Sequence, residues 1–281
     1  MDVSPSRTAM FAATARARHR MEDAHPWVLD DPFALVLVGE GWRSLTEMLA
    51  VMLPGELERE ARAAVCVRSR YAEERLTAGR FSQYVLLGAG LDSLAWRRPD
   101  LLRSITVFEV DHPASQGWKR QRMEELALPE HDRQIFVPVD FERESLRQEL
   151  DRAGFDWSRP TLFGWMGVVM YLTPDAVAAT LQTVATCPPG SEVVLTYRAD
   201  DALLDDNGKK IIEALVPTAA QLGEPIQAGW PRSDMEKLIQ ECGLLVADHP
   251  TRDTVVQRFM ADRPDGLRPW TNESYLAARV P

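Results

Sequence analysis

Two short segments carry residues whose types and spacing could bind a nucleoside. Residues 84–98 read YVLLGAGLDSLAWRR, an apolar run that breaks at Gly88, Ala89 and Gly90 before an amphipathic stretch. Residues 105–113 read ITVFEVDHP, a second apolar run that ends in Glu109 and Asp111. A glycine turn after a strand lets the backbone approach a ligand, and an acidic residue about 20 positions later can hydrogen-bond the hydroxyls of a ribose. The two segments therefore predict a nucleoside-cofactor site.

The start of the helix after the glycine turn favours one class of nucleoside over another. A dinucleotide fingerprint would have a third glycine at position 93, where the pyrophosphate sits at the helix N-terminus. This chain has Ser93 there, preceded by Asp92. A carboxylate at that point would repel a pyrophosphate but would serve as an N-cap. S-adenosylmethionine has no phosphate and carries a positive sulfonium, so we favour it over NAD. Alone, the glycine turn could also be only a tight connection.

The chain around these segments alternates between strand and helix signals. Short apolar runs alternate with helical stretches from residue 80 onward, which predicts a mainly parallel sheet with helices on both faces. The predicted strands are 84–88, 105–110, 134–139, 161–166 and 191–197, and the predicted helices are 92–97, 113–127, 143–153, 174–186 and 231–242. Two further runs, 243–249 and 254–260, are separated by too short a link for a crossover helix, so we expect them to pair antiparallel.

This pattern predicts an α/β protein with the Class I methyltransferase version of the Rossmann-like fold. Its sheet would have seven strands, mostly parallel, with an antiparallel C-terminal hairpin. Residues 7–22 and 56–78 are predicted helices, and residues 1–80 form a helical N-terminal cap. We expect one domain over 1–281, with a cofactor-binding core over 81–197 and 231–281. Residues 198–230 interrupt the pattern and are interpreted as an insertion over the carboxyl ends of the strands, where such sheets bind ligands.

Stretches along nearly the whole chain resemble the leucine carboxyl methyltransferase (PPM-type) family of S-adenosylmethionine-dependent methyltransferases. The chain is most similar to the bacterial branch of O-methyltransferases, some of which serve polyketide biosynthesis. The matching stretches are Thr8-Ala9 with Arg16, DDPFA (30–34), VRSRYAEERL (67–76), LLGAGLDSLAWR (86–97), FEVDHP (108–113), FVPVDFE (136–142), MYLTP (170–174), GEPIQAGW (223–230) and YLAAR (275–279).

The resemblance implies roles for residues on both sides of the cofactor. Gly88 and Gly90 would bring the backbone to the methionine moiety, and Asp111 would take the ribose hydroxyls. Arg68 would bind the methionyl carboxylate, where a guanidinium can make two parallel hydrogen bonds. Arg70 is close enough in sequence to be its alternative, and both arginines could instead belong to a solvated helix face.

The resemblance also implies an adenine site, with one departure from the family pattern. Asp140 and Phe141 would bind the adenine, although Asp140 could also be a helix cap. Many relatives have a glutamate four residues before the methionine of the MYL motif, and this chain has Met166 there. A thioether could pack against the adenine or the sulfonium, or Met166 could be an ordinary core residue.

Candidates for the acceptor side of the reaction are fewer. Tyr171, Tyr197 and Arg198 end or follow the fourth and fifth strands and could orient an acidic acceptor, or could be ordinary strand-end residues. No histidine is placed as an obvious base, and no histidine–carboxylate cluster has metal-ligand spacing, so no metal site is predicted. A carboxylate acceptor needs no base, because its pKa of about 4 keeps it ionised at neutral pH. We therefore favour a carboxylate over a phenol.

Composition limits the remaining classes of function. The chain has 281 residues and a net charge of −10, which disfavours a nucleic-acid partner. Cys66, Cys187 and Cys242 are isolated and no apolar run reaches the length of a membrane span, so we expect reduced thiols, no membrane partner and a cytoplasmic location.

These observations together predict an enzyme that uses S-adenosyl-L-methionine and releases S-adenosyl-L-homocysteine. Its expected partner is a small acidic or phenolic acceptor, with secondary metabolism as the setting that the resemblance suggests. The alternatives are an NAD-dependent oxidoreductase, disfavoured by Asp92 and Ser93, and a cofactor-binding protein without methyl transfer, favoured by Met166.

Overall fold

The computed structural model describes residues 6–141, 143–221, 223–261 and 263–281. Glu142, the last residue of the 136–142 match, and Leu222, within the predicted insertion, lie outside the described residues. Seven strands form one sheet in this part of the chain. The strands are β1 (Gln83–Leu87), β2 (Thr106–Asp111), β3 (Gln134–Pro138), β4 (Thr161–Trp165), β5 (Glu192–Arg198), β6 (Leu245–Asp248) and β7 (Glu273–Arg279).

The order of the strands determines where a ligand can bind. The sheet runs β3-β2-β1-β4-β5-β7-β6. The first five strands in this order are parallel, and β7 is antiparallel to both β5 and β6. Strand order reverses between β1 and β4, and at such a point the carboxyl ends of neighbouring strands leave a crevice. The predicted fold class is confirmed.

One predicted strand is wrong. Residues 254–260 do not pair with β6; they lie in a helix, α11, that spans Arg252–Met260. Thr251 begins it by accepting a hydrogen bond from the Thr254 N–H at 3.3 Å. The valines of the segment suggested a strand, but Val255 and Val256 pack on the core together with Phe259 and Met260, each four residues later, which is a helical spacing. The antiparallel partner of β6 is β7, which follows this helix.

Helices cover both faces of the sheet. Along β1, Tyr84 and Leu86 pack in one core with α4, while Val85 and Leu87 pack in another core with α8, as the two-residue period of a strand requires. The helices are α1 (Arg7–Glu22), α2 (Ala34–Val38), α3 (Trp42–Met52), α4 (Glu56–Ala78), α5 (Leu94–Arg97), α6 (Pro113–Glu125), α7 (Leu146–Arg152), α8 (Pro174–Ala185), α9 (Asp206–Gln221), α10 (Arg232–Glu241) and α11. Each helix in the described segments is too short or too polar to span a bilayer.

Buried ion pairs fix the N-terminal helices to one another. Arg62 of α4 has a side chain only 3% exposed and pairs with Asp23 and Glu22 at the end of α1, each at 2.8 Å. The same guanidinium pairs with Glu58 one helical turn earlier, also at 2.8 Å. These contacts hold α1 along α4, so that the first turn of α1 reaches the carboxyl ends of the strands.

The segment predicted as an insertion contains α9 and a following loop, Gly223–Gln227. The Gln227 N–H donates to the carbonyl of Met170 at 2.8 Å, which ties this loop to the end of β4. Trp230 closes the segment, since its N–H donates to the carbonyl of Arg198 at 3.0 Å. Trp230 therefore fastens the segment to the sheet.

Candidate functional site

A cavity of about 970 Å³ lies at the crevice between β1 and β4. This volume is near the upper end for a ligand pocket, which usually measures about 300–1,000 Å³. The cavity is walled by the first turn of α1, by α4, by the strand ends and by the loop after α9. It brings together ten of the predicted site residues, namely Arg68, Gly88, Ala89, Gly90, Asp92, Asp111, Asp140, Phe141, Met166 and Tyr171.

The glycine loop is held by main-chain hydrogen bonds to β2. The N–H groups of Gly88 and Ala89 both donate to the carbonyl of Val110, at 2.8 and 3.0 Å. The N–H of Gly90 donates to the Asp111 carboxylate. Gly90 has a φ of +49°, and a Cβ at this position would lie 3.0 Å from the Cβ of Ala9 in α1. Glycine therefore allows both the left-handed backbone and the close approach of α1.

Asp111 presents an acidic group at the end of β2. Besides Gly90, the N–H of His112 donates to this carboxylate at 2.7 Å. Burial raises the pKa of Asp111, although the two N–H donors oppose the shift. His112 itself begins α6, because its Nδ1 accepts a hydrogen bond from the Ala114 N–H at 3.2 Å. The carboxylate can accept hydrogen bonds from a vicinal diol, whereas the imidazole belongs to the helix start.

Asp92 and Glu109 support the loop in different ways. Asp92 lines the cavity and caps the start of α5, since its Oδ1 accepts from the Leu94 N–H at 2.7 Å. Glu109 is outside the cavity lining, contrary to the prediction. It is buried in an ion pair with Lys119, at 2.5 Å between Oε2 and Nζ. Lys119 also donates to the Asp92 carbonyl at 2.6 Å, so Glu109 acts on the loop only through Lys119.

The structure separates the two arginines that the sequence left as alternatives. Arg68 lines the cavity, and its Nε donates to both oxygens of the fully buried Glu273, at 2.7 and 3.0 Å. Burial disfavours the charged guanidinium, but Glu273 outweighs this effect and raises the pKa of Arg68. Arg70 is exposed and does not line the cavity.

Gly167, just after β4, makes room for the guanidinium of Arg68. A Cβ at this position would lie 2.4 Å from Nη1 of Arg68, and the φ of Gly167 is +74°. The Gly167 N–H donates to Oγ1 of Thr196 at 2.8 Å, which fixes the turn. Arg68 is thus held from one side by Glu273 and passes over a glycine on the other.

The predicted adenine residues follow β3. The main-chain carbonyl of Asp140 accepts hydrogen bonds from the N–H groups of Arg143 and Glu144, at 2.9 and 2.8 Å. Helix α7 begins instead with Ser145, which accepts from the Gln148 N–H, so Asp140 is not the cap of that helix. Phe141 and Met166 are half-buried and present side chains to the cavity.

Of the three acceptor-side candidates, only Tyr171 lines the cavity. Tyr197 is fully buried in the core on the α10 side, and its hydroxyl lies 2.8 Å from Nε2 of His249. Arg198 is paired with Asp201 in the turn that follows β5. The predicted positions of Tyr197 and Arg198 at the acceptor cavity are wrong, because the β5 backbone directs both side chains elsewhere.

Sequence reasoning missed two acidic residues that the structure brings to this region. Glu224 lines the cavity from the loop after α9. It lies within the GEPIQAGW match, which was the available signal. Glu273 is far from Arg68 in sequence, and nothing in its local pattern indicates the contact.

Strand order, the position of the cavity and the acidic residue at the end of β2 define a Class I methyltransferase. A comparison with family models agrees, since the model described as leucine carboxyl methyltransferase matches residues 9–185. The chain belongs to this family. It is an S-adenosylmethionine-dependent methyltransferase, as the sequence predicted.

Similar proteins cover the chain almost completely. It is 32% identical to the "Putative S-adenosyl-L-methionine-dependent methyltransferase YktD" of Bacillus subtilis, with 97% of each chain aligned. A protein of the same description from Mycobacterium marinum is 32% identical over 98% of this chain and 87% of its own.

Two solved structures share the fold. A DUF574 family protein from Streptomyces avermitilis superposes with a TM-score of 0.67 at 15% identity, over 100% of this chain and 99% of its own. A "putative methyltransferase" from Thermobifida fusca superposes with a TM-score of 0.64 at 19% identity, over 99% of this chain and 96% of its own.

Proposed function

We propose that this enzyme methylates an oxygen atom of a small acidic or phenolic metabolite, in secondary metabolism as the family resemblance suggests. The observation that carries the proposal is that one cavity contains the nucleoside-site residues and extends to Thr8, Tyr171 and Glu224. A methyl donor and an acceptor can therefore meet in the same cavity, where alignment alone can supply about 7–11 kcal/mol of the barrier reduction.

The residues of the cavity fit S-adenosylmethionine by their chemistry. Asp111 would accept hydrogen bonds from the ribose, Asp140 and Phe141 would flank the adenine, and the Nη groups of Arg68 would bind the methionyl carboxylate. Asp92 places negative charge where a dinucleotide would need its pyrophosphate. When bound, the sulfonium supplies an electrophilic methyl group. The chain's own residues align the donor and the acceptor and exclude water.

Two classes of oxygen acceptor are compatible with this site. The description of the family, leucine carboxyl methyltransferase, favours a carboxylate. The absence of an obvious histidine base in the sequence favoured it as well. Glu224 weakens that second argument, because it places a carboxylate in the cavity that could accept a proton from a hydroxyl group.

Turnover with a panel of metabolites tests the proposal. The enzyme would be incubated with methyl-labelled S-adenosylmethionine and with aromatic and aliphatic carboxylates, phenols, amines and activated carbon acids. We expect labelled methyl esters or methyl ethers together with S-adenosylhomocysteine. Labelled products methylated only on nitrogen or carbon would contradict O-methylation.

A further inference from the structure

Glu224 is held at the cavity wall by the backbone around it. Its N–H donates to the carbonyl of Ala219 in the last turn of α9 at 3.0 Å. Three residues later, Gln227 is fixed by its hydrogen bond to Met170. The carboxylate of Glu224 is therefore carried by a short segment anchored at both ends, and it faces the same space as the predicted cofactor residues.

One oxygen of Glu224 lacks a protein partner. Oε2 is buried, and in the described part of the chain no donor reaches it. Other carboxylates of the cavity differ in this respect: Asp111 accepts from two N–H groups, and Asp92 accepts from the Leu94 N–H. A buried anionic oxygen without a donor is costly. A hydroxyl group in the cavity would reach Glu224 through its other oxygen, Oε1, which keeps accessible surface and likewise accepts no hydrogen bond in the described part of the chain.

Tyr171, which lines the same cavity, does not neutralise Glu224. Burial raises the pKa of Tyr171 to about 12, with Arg68 opposing the shift and Glu224 and Glu273 adding to it. Tyr171 is therefore a neutral phenol. The positive charge of Arg68 is already shared with Glu273. An acceptor carboxylate beside Glu224 would meet like charge, whereas a hydroxyl would meet a hydrogen-bond acceptor.

We propose that the methyl acceptor bears a phenolic or alcoholic hydroxyl that donates to Glu224, and that Glu224 takes this proton during methyl transfer. This inference rests on the proposed O-methylation and names its acceptor class. The hydroxyl oxygen forms the new O–CH₃ bond, the S–CH₃ bond breaks with its electron pair remaining on sulfur, and the hydroxyl proton passes to the Glu224 carboxylate. The protonated Glu224 then returns the proton to water.

The test compares Glu224→Gln with a matched control, Glu213→Gln. Glu213 is an exposed glutamate of α9 outside the cofactor cavity. Both variants keep the size of the side chain and remove its charge. With phenols from the metabolite panel, we expect E224Q to lower kcat by about 10²–10⁴-fold, the usual contribution of a general base, and E213Q to leave it unchanged. The loss should shrink for nitrophenols, which are already largely ionised, and vanish for any carboxylate substrate.

A binding measurement gives a readout independent of turnover. Calorimetric titration with S-adenosylhomocysteine present would compare 4-hydroxyacetophenone with its methyl ether. E224Q should weaken binding of the phenol roughly tenfold, the loss of about one hydrogen bond to a charged group, and leave the ether unaffected. The inference is overturned if E224Q and the parent have equal kcat for phenols. It is also overturned if only carboxylates of the panel are methylated. The second result leaves O-methylation intact, whereas no O-methylated product at all counts against the proposed function itself.

Discussion

At the scale of single residues, Asp111 has a structural task, and we propose a ligand-binding task as well. Its carboxylate accepts hydrogen bonds from the N–H groups of Gly90 and His112, so it shapes the glycine loop of the proposed cofactor site. We expect Asp111→Ala to weaken binding of S-adenosylmethionine by roughly 1.5–3 kcal/mol for each lost charge-assisted hydrogen bond. Calorimetry on the folded variant checks this. Unchanged affinity would show that the ribose binds elsewhere.

The pKa of Asp111 adds a pH dependence to cofactor binding. Because burial raises this pKa in the folded protein, the carboxyl gains its charge at a higher pH than in the unfolded chain. Ribose hydroxyls bind best to the ionised form. Affinity for S-adenosylmethionine should therefore rise with pH just above the ordinary aspartate range of about 4. This rise should be absent in Asp111→Asn. A rise in affinity that persists in that variant would come from the titration of another group.

Arg68 and Arg70 form a natural pair of test and control. Lysine at position 68 keeps the charge but loses the planar geometry that lets Nε bind Glu273 while the Nη groups bind a ligand. Arg68→Lys should raise the dissociation constant for S-adenosylmethionine about 10-fold or more. Affinity for adenosine, which lacks the carboxylate, should hardly change. Arg70→Lys should affect neither ligand. Equal losses for both ligands in Arg68→Lys would contradict the assignment.

At the scale of elements, the parts of the fold that the sequence predicted are those with strong local signals. The five parallel strands lie within one residue of their predicted ends, because buried parallel strands are short apolar runs with clear breaks. The strands at the C-terminal edge of the sheet were harder to predict. Strand β7 follows a helix that has a strand-like composition, and its pairing depends on contacts distant in sequence.

The distinction between local signals and contacts distant in sequence also explains which site residues the sequence indicated. Gly88, Gly90 and Asp111 lie at fixed points of a strand–turn–helix–strand unit, so their spacing alone indicates them. Arg68 was found only through a family resemblance, and its partner Glu273 is 205 residues away in sequence. Tyr197 was placed wrongly because the sequence does not show which face of the end of β5 is covered by α10. Long-range packing decides each of these positions.

The contact between α1 and α4 gives a prediction at this scale. Removing Arg62 would leave the buried Asp23 without an arginine partner, while Glu22 and Glu58 would keep only Arg18. Because breaking a buried ion pair costs about 3–5 kcal/mol, Arg62→Ala should lower the free energy of unfolding by that order. Arg20→Ala is the control, since the Arg20–Asp30 pair at 2.8 Å is exposed and should contribute about 0–1 kcal/mol. Denaturant titration of both variants measures these free energies of unfolding. Similar losses would show that the buried network contributes no more stability than an exposed ion pair.

At the scale of the whole molecule, cofactor binding should stabilise the fold because the cavity is built from distant segments. The first turn of α1, α4, the strand ends and the loop after α9 all line it. A ligand at 100 times its dissociation constant adds about 2.7 kcal/mol to the stability of the state that binds it. At roughly 2–4 °C per kcal/mol for domains of about this size, the melting temperature should rise by roughly 5–11 °C with S-adenosylmethionine or S-adenosylhomocysteine.

The same measurement distinguishes between nucleoside cofactors. In the proposed site, adenosine would engage only the Asp111 and Asp140 side of the cavity, so its shift in melting temperature should be smaller than that of S-adenosylmethionine at equal concentration. NAD would bring its pyrophosphate to Asp92, at the start of the helix after the glycine turn, in a protein of net charge −10, and repulsion between like charges should leave the melting temperature unchanged. Thermal melts of the parent and of Asp111→Ala, each with the four ligands, supply the data. A shift with NAD as large as that with S-adenosylmethionine would show that charge at the glycine loop does not select the cofactor.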